Sequence, residues 1–366
     1  MKCSCPKKLL SETISLVEKI TGKNLSLPIL SSIILEVSGK RMMIRATNLD
    51  IGVEIELPVK SDRDGIVAVP ASVFSGFLSG ISGDGTLEVE EKEGNLTISI
   101  QGNNTLIKCL SPEEFPSLPV VDQGTSFSLP VKKLVEGLKS VVYSSSLSDV
   151  KPELGSVYMY PEHDMLVFVA TDSFRLAEKK IPHKNVNDWG GILIPHKNTL
   201  EIIRIFEQLS GDVDIRFNDH QIVFEKEGVY VTSRIIDGSF PDYRQIIPKE
   251  YSTTAIVLKK DFTDAFKVSI VFSNTFKQVT MSLNPKEKTY IIETKNTDVG
   301  ESRVPLQASL SGELITINVN YKYITDSFPS LSGDSVSVSF AGENKPLIIE
   351  SVGDQSFLSL VMPMNR

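Results

Sequence analysis

The feature that most constrains the fold of this chain is an internal repeat that occurs three times. A lysine pair opens an amphipathic segment at Lys7-Lys8, Lys132-Lys133 and Lys259-Lys260. The tripeptide Ser-Gly-Asp recurs at 82–84, 210–212 and 332–334, each time after a helix-like segment and before strand-like sequence. Phe-Pro occupies the same relative place at 115–116 and 240–241. Because these markers recur in the same order, the sequence indicates three copies of one module.

Each module predicts two helices and about six to eight strands, an α+β arrangement in which helices cover one face of the sheets. The apolar periodicity predicts helices over 7–20, 70–81, 132–146, 196–209, 259–274 and 320–331. Turn-like sequence near 122–126 and 248–253 predicts the module boundaries. We therefore expect three domains over residues 1–122, 126–248 and 252–366.

The composition is that of a globular protein, with 41% hydrophobic and 23% charged residues. We expect a cytoplasmic protein, because the sequence has no apolar run of membrane length and its start lacks the apolar region of a signal peptide. Cys3 and Cys5 are spaced to point to the same face of a strand, and with Cys109 they do not suggest a disulfide framework. The four histidines show no ligand spacing, so we expect neither a metal nor a cofactor.

The net charge of −8 argues against nucleic acid as a partner only if the charge is evenly distributed. The six predicted helices carry +1, 0, +2, 0, +1 and 0, so the rest of the chain is strongly acidic. Basic helices on an acidic body suit a protein that holds DNA on one surface and repels it elsewhere. The alternative is that these lysines only solvate the helices.

Longer motifs resemble one family. SLPILSSIILEV (26–37), ATNLDIGVEIEL and LSPEEFPSLP (110–119) resemble the first domain of the bacterial DNA sliding clamp, the beta subunit of DNA polymerase III. VATDSFRLAEKKIP, ILIPHKNTLEIIRIF and VTSRIIDGSFPDYRQIIP resemble its second domain, and LVMPMNR resembles its C-terminus. The resemblance implies three clamp domains per chain, with helices on the inner face and sheets outside. Two such chains would form a homodimeric ring of six domains.

In function, the resemblance implies a DNA polymerase processivity factor that encircles double-stranded DNA and slides along it without sequence specificity. It would tether the replicative polymerase, the clamp loader and other partners through a hydrophobic peptide pocket between the second and third domains. Carried over by position, the pocket residues are Leu154, Thr171, Ser173, Phe174, Arg175, Leu176, Pro241, Gln245, Ile246, Phe276, Asn318, Tyr321, Pro346, Val361, Met362, Pro363 and Met364.

Two further residue sets follow from the same resemblance and from the charge pattern. The DNA-facing set is Lys7, Lys8, Lys23, Asn24, Lys132, Lys133, Lys139, Lys197, Arg204, Lys259 and Lys260. The dimer contact would pair Ile107 of one chain with Val271 and Phe272 of the other.

The chain also departs from the family pattern. Ser173-Phe174 stand where Gly-His is frequent, Gln245 stands where a second arginine is frequent, and Asn24 takes a position that is often arginine. The first three positions lie in the expected pocket, so they bear on the peptide sequence that it would prefer.

Two other classes of protein are alternatives to a clamp. An enzyme would need a nucleophile with its base, paired carboxylates or a phosphate loop, and GISGDGT (80–86) lacks the lysine of such a loop. We therefore expect a non-catalytic accessory subunit of a polymerase complex. The second alternative is a three-domain protein-binding scaffold that does not encircle DNA.

Overall fold

The computed structural model describes residues 1–22, 26–184 and 189–364 of the chain. The chain groups into two compact units, one of Met1–Lys132 with Leu200–Ile235 and one of Lys133–Thr199 with Ile236–Arg366. Among the helices that the structure describes, none has the length and apolar character needed to span a lipid bilayer.

The described residues contain six α-helices, which correspond in order to the six predicted ones. They are α1 Lys7–Glu18, α2 Ala71–Gly80, α3 Val131–Val141, α4 His196–Phe206, α5 Lys259–Ile270 and α6 Tyr321–Thr325. The helix α1 buries Leu10, Ile14 and Val17 on one face, as the apolar spacing predicts. Helices α1 to α4 each follow directly on a strand that ends in proline, which disfavours continuation of the strand pairing.

The prediction for the sixth helix, 320–331, was wrong in length. The helix α6 ends at Thr325, and a separate 3-10 helix follows over Phe328–Ser330. Pro329 has no amide hydrogen to donate to the carbonyl of Thr325, so an α-helix cannot continue through it without loss. The third and fifth predicted helices, 132–146 and 259–274, also end earlier, at Val141 and Ile270.

The strands of the described residues are β1 Lys2–Pro6, β2 Ser32–Ser38, β3 Arg41–Thr47, β4 Ile51–Pro58, β5 Lys60–Arg63, β6 Gly65–Pro70, β7 Thr86–Lys92, β8 Asn95–Ile100, β9 Asn103–Ile107, β10 Thr125–Pro130, β11 Ser156–Glu162, β12 Met165–Thr171, β13 Arg175–Pro182, β14 Ile192–Pro195, β15 Asp212–Phe217, β16 Gln221–Lys226, β17 Val229–Arg234, β18 Thr253–Leu258, β19 Gln278–Asn284, β20 Thr289–Asn296, β21 Gly300–Leu306, β22 Ala308–Gly312, β23 Ile315–Asn320, β24 Ser335–Phe340, β25 Leu347–Ser351 and β26 Asp354–Val361.

The strands form four sheets, two in each unit. The first unit holds a sheet of order β5-β1-β7-β8-β9 and a sheet of order β10-β15-β16-β17-β4-β3-β2-β6. The second unit holds a sheet of order β14-β11-β12-β13-β26-β25-β24-β18-β22 and a sheet of order β21-β20-β19-β23. Strand β4 pairs with β17, and strand β13 pairs with β26, in both cases antiparallel. We call each of these pairings between strands of successive repeats a joint. The repeats therefore share sheets, and the domain boundaries 1–122, 126–248 and 252–366 stay a prediction.

The cysteines behave as the sequence predicts for a strand. Cys3 and Cys5 are both buried on β1, two residues apart on one face. Burial raises the pKa of the Cys5 thiol to about 12, so this thiol stays protonated at neutral pH. Among the described residues, no group of three or more His, Cys, Asp or Glu side chains is arranged to hold a metal ion.

Candidate functional site

The last strand of the chain brings together predicted pocket residues that are far apart in sequence. In the joint between β13 and β26, Arg175 pairs with Val361 and Leu176 with Leu360. Beyond the strand, the amide of Met362 donates to the carbonyl oxygen of Phe174 at 2.8 Å. The amide of Met364 donates to the carbonyl oxygen of Asn318 at 2.7 Å. The C-terminal residues therefore lie between the turn before β13 and strand β23, all within the second unit.

The turn before β13 is held by side chains that bind its own backbone. The Thr171 hydroxyl donates to the carbonyl of Arg175 at 2.7 Å, and Asp172 Oδ1 accepts from the amides of Phe174 and Arg175 at 2.9 and 3.0 Å. Ser173 has a φ of 75°, a left-handed conformation that favours glycine. This geometry leaves the Phe174 ring 61% exposed.

Arg175 links the turn before β13 to helix α6 within this unit. Its Nε donates to Asp172 Oδ2 at 2.9 Å, and its Nη1 donates to Asp326 Oδ2 at 2.7 Å. The guanidinium group also lies 4.8 Å from the centre of the Tyr323 ring. Because two carboxylates and a ring already surround it, Arg175 positions the turn and α6 and is not a free cation of the pocket.

The floor beneath the predicted pocket residues is apolar. Leu176, Tyr243, Ile348 and Leu360 belong to one buried cluster, and Met362 packs against it. At the rim, large apolar side chains are exposed to solvent, a pattern that marks surfaces used for binding. These rim side chains are Phe174, Ile246 and Phe276.

One side of the floor is built from aromatic rings and a buried carboxylate that are not among the predicted pocket residues. Phe240 stacks on Tyr158 with ring centres 4.9 Å apart. The Tyr243 hydroxyl donates to the buried carboxylate of Glu178 and lies 2.7 Å from the Tyr160 hydroxyl. Burial and the adjacent Glu178 raise the pKa of Tyr243, so its hydroxyl is a donor at neutral pH. The motif FPDYR contains the signal for this cluster, because a tyrosine beside a strand needs a polar partner when it is buried.

The other predicted pocket residues have the following contacts and exposures. Tyr321 donates its amide to the carbonyl of Lys277, the residue after Phe276, at 2.9 Å. The Gln245 side chain is exposed and donates to Asp242 at 2.6 Å. Leu154 is buried, Pro241 is exposed, and Pro346 and Pro363 are half-buried.

The predicted DNA-facing residues divide into two groups. In the first group the cation is already bound within the chain. Lys7 Nζ donates to the carbonyls of Ile81 and Gly83 at 2.6 and 3.3 Å, and Lys259 Nζ donates to the carbonyl of Leu331. In the same way Arg204 donates to the carbonyls of Ser15 and Leu16 at 3.2 and 2.7 Å, and Lys133 pairs with Glu136 at 3.1 Å.

The second group is defined by exposure of the side chains on helices α1, α3, α4 and α5, and Lys139 of this group also interacts within the chain. This group consists of Lys8, Lys132, Lys139, Lys197 and Lys260. In the first and third repeats, the first lysine of the opening pair, Lys7 or Lys259, therefore donates to carbonyl oxygens of a neighbouring segment. The second lysine of the pair, Lys8 or Lys260, is exposed. Lys23 and Asn24 lie outside the residues that the structure describes.

Comparison with known proteins identifies the family across the chain. Profiles of the DNA polymerase III beta subunit match residues 1–119 as its N-terminal domain, 128–242 as its central domain and 244–365 as its C-terminal domain. This chain belongs to the DNA polymerase III beta subunit family. The predicted α+β fold of three clamp domains is thereby confirmed.

Relatives and solved structures agree over the full length. The beta sliding clamps of Synechocystis and Bacillus subtilis are 28% and 27% identical to this beta subunit, and each match covers 100% of the chain and 99% of the relative. The crystal structure of the Bacillus subtilis sliding clamp matches with a TM-score of 0.91 at 25% identity, covering 100% and 99% of the two chains. A sliding clamp of Pseudomonas aeruginosa bound to griselimycin matches with a TM-score of 0.93 at 21% identity over all of both chains, and this likeness concerns the fold.

The residues expected at the dimer contact of this beta subunit are not equally accessible. Val271, just after α5, is exposed, and Phe272 lies beside Gly300 at the start of β21. Ile107, however, is only 5% exposed in the core of its own domain, whereas Leu106 on the same strand is 59% exposed. Leu106 is thus the large apolar residue of β9 that is exposed, beside exposed Asn103 and Asn104.

Proposed function

We propose that this beta subunit is a DNA polymerase processivity factor. Two copies close into a ring around duplex DNA, slide along it without reading its sequence, and hold a replicative polymerase through the pocket at the end of β26. The protein serves as a non-catalytic accessory subunit and works in the cytoplasm with the chromosome. The clamp loader and other partners with suitable peptide segments would use the same pocket.

The observation that carries this proposal is the pattern of sheet joints. In the repeat, strands β4, β13 and β21 follow equivalent threonine-containing turns, and β9, β17 and β26 are likewise equivalent last strands of an outer sheet. Within the chain, β4 pairs with β17 and β13 pairs with β26. The third joint of this type would pair β21 with β9. Both of these strands are sheet edges, so a second copy of the chain supplies the missing partner.

The numbers of strands support the same pairing. The two sheets that contain a joint have eight and nine strands, whereas the sheets that end in β9 and β21 have five and four. Joining the last two across a dimer contact gives a sheet of the same size as the others. Exposed Leu106 and Val271, near the ends of the two edges, would be buried by such a contact.

The pocket supports the assignment of partners. Its floor is a buried apolar cluster, and its rim carries Met362, Met364 and exposed aromatic side chains. Thioether and aromatic side chains form adaptable apolar surfaces for short peptide segments. Peptides from several partner proteins would therefore compete for one pocket.

The decisive experiment tests whether the protein encircles DNA. The protein, loaded onto nicked circular duplex by a clamp loader, is separated from free protein by gel filtration, and the circle is then cut with a restriction enzyme. We expect the protein to remain on the circle and to leave it after the cut. Retention on linear DNA equal to that on the circle would favour a groove-binding protein or a scaffold instead.

A further inference from the structure

A cavity of about 510 Å³ lies in the first unit, at the joint between β4 and β17. Its walls include Ile34, Phe115, Leu118 and Tyr230, and two charged residues, Arg45 and Glu54, lie among the lining residues. This cavity is separate from the pocket described above, which lies wholly in the second unit.

The cavity and the pocket at β26 are equivalent places in the repeat, residue by residue. Across four neighbouring strands of each sheet, the backbone pairings define one row of directly opposed residues. The first row is Ile34, Arg45, Glu54 and Tyr230, and the second row is Tyr158, Val169, Glu178 and Leu358. Each row is covered by the loop that carries a Phe-Pro pair, 115–116 in the first case and 240–241 in the second.

The two places differ in how the covering loop fills them. In the second unit, Tyr243 reaches Glu178 with its hydroxyl and Phe240 stacks on Tyr158. In the first unit, Leu118 takes the place of this tyrosine, three residues after Phe115 as Tyr243 is three residues after Phe240. Leu118 packs so closely over Gly52 that a Cβ there would lie 2.6 Å from its Cδ2. Leu118 and Ile34 are smaller than Tyr243 and Tyr158, whereas Arg45 and Tyr230 are larger than Val169 and Leu358. With this exchange of side chains the first unit retains a cavity under the loop.

The charges around the cavity favour a cationic ligand group. Arg45 is bound by Glu54 of the lining and by Glu36, which lies outside the lining. The wall residue Tyr230 also interacts electrostatically with Arg216, Glu225 and Asp122, so these two cations and four carboxylates carry a net charge of −2. The side chains of Arg45 and Glu54 are each only about a third exposed, which limits screening by water. Apolar walls beside this charge fit an aliphatic side chain next to a lysine or arginine.

We propose that this cavity is a second binding pocket, for an extended segment of a partner protein that places a basic side chain beside aliphatic ones. The exposed rim residues Val120 and Ile66 continue the apolar surface outward, as a bound segment requires. A partner that reached both pockets would be held at two points, which raises its effective affinity. This inference goes beyond the proposed function, because neither ring closure nor the first pocket depends on it.

The test is a methyl NMR titration of the full-length protein with two capped pentapeptides, AKLLA and AELLA, which differ only in charge. We expect AKLLA to shift the methyl signals of Ile34 and Ile66 in a saturable way, with an affinity about fivefold higher than that of AELLA. The signals of Ile246 and Ile348 report on the pocket at β26 in the same titration.

Two variants and one control sharpen the test. L118Y introduces the tyrosine found at the equivalent place of the second unit and should abolish the shifts of Ile34 and Ile66. V120K places a cation on an exposed rim position and should weaken the binding of AKLLA without affecting folding. V73K changes an exposed valine of α2 that does not line the cavity, and it should bind AKLLA as the wild type does.

The outcomes separate this proposal from the proposed function. Shifts confined to Ile246 and Ile348 would overturn the second pocket and leave the pocket at β26 in place. Equal affinities for AKLLA and AELLA would overturn the charge argument, and L118Y or V120K proteins that fold and still bind like the wild type would overturn the location.

Discussion

Replacing Tyr243 with phenylalanine removes one hydroxyl from the floor of the pocket at β26 and leaves the ring in place. That hydroxyl donates to the carboxylate of Glu178, whose side chain is only 9% exposed, and it also contacts the Tyr160 hydroxyl at 2.7 Å. A hydrogen bond to a buried charge contributes about 1.5–3 kcal/mol. Because Lys180 remains 3.3 Å from Glu178 and offsets part of the loss, we expect Y243F to lower the free energy of unfolding by about 2 kcal/mol.

The assay is urea unfolding of the second unit, followed by the fluorescence of Trp189, the single tryptophan of the chain. With a slope of about 3 kcal/mol per molar urea, the transition midpoint should fall by about 0.7 M. Y158F is the matched control, since the Tyr158 hydroxyl donates to the carbonyl of Gly190 at an exposed site, and we expect it to change stability by less than about 0.5 kcal/mol.

A double variant isolates the contact itself. If the Tyr243–Glu178 bond carries the effect, the losses measured for Y243F and E178M, which has no acceptor oxygen, should not add in Y243F/E178M. A Y243F midpoint within error of the wild type, or strictly additive losses in the double variant, would refute the reasoning.

Three further predictions concern function. M362A/M364A should weaken binding of a polymerase-derived peptide by about tenfold without unfolding the protein, and unchanged affinity by calorimetry would contradict the pocket assignment. F272D should yield monomers, because it places a charge beside the β21 edge, and an intact dimer by light scattering would argue against that contact. K8A/K260A should reduce the salt dependence of binding to short duplex DNA by about 1.8 in log–log slope for each chain that contacts the DNA; an unchanged slope would mean that these lysines do not contact phosphate.

The sequence was sufficient to predict the repeat, the fold class and the order of the six helices. Those predictions depend on local periodicity, such as the spacing of Leu10, Ile14 and Val17 on α1. It did not predict the end of α6, although Pro329 was visible, because the apolar spacing of that segment continues through the proline. At that position the apolar spacing predicts a continued helix, but proline lacks the amide hydrogen that an α-helix needs, so the helix does not continue.

The site was predictable in part. The motifs place Thr171, Arg175 and Met362 correctly near one another, since β26 does pair with β13. What the motifs did not reveal is what each polar group binds. Arg175 is engaged by Asp172 and Asp326, and the second of these lies 151 residues away in sequence. Partners at such separations follow from the packing of whole elements, which no local pattern specifies.

The same limit explains why the repeat does not coincide with the compact units. The sheet that begins at β10 contains four strands of the second repeat and four of the first, joined between β17 and β4. Separating the chain near residues 122–126 would therefore leave two long unpaired edges, one of them β4, in which Ile51, Val53 and Ile55 are buried. A repeat whose units complete one another's sheets is not a series of independent domains. By the same physics the two sheets that end at the edge strands β9 and β21 have fewer strands than the shared sheets, and pairing with a second copy would bury both edges.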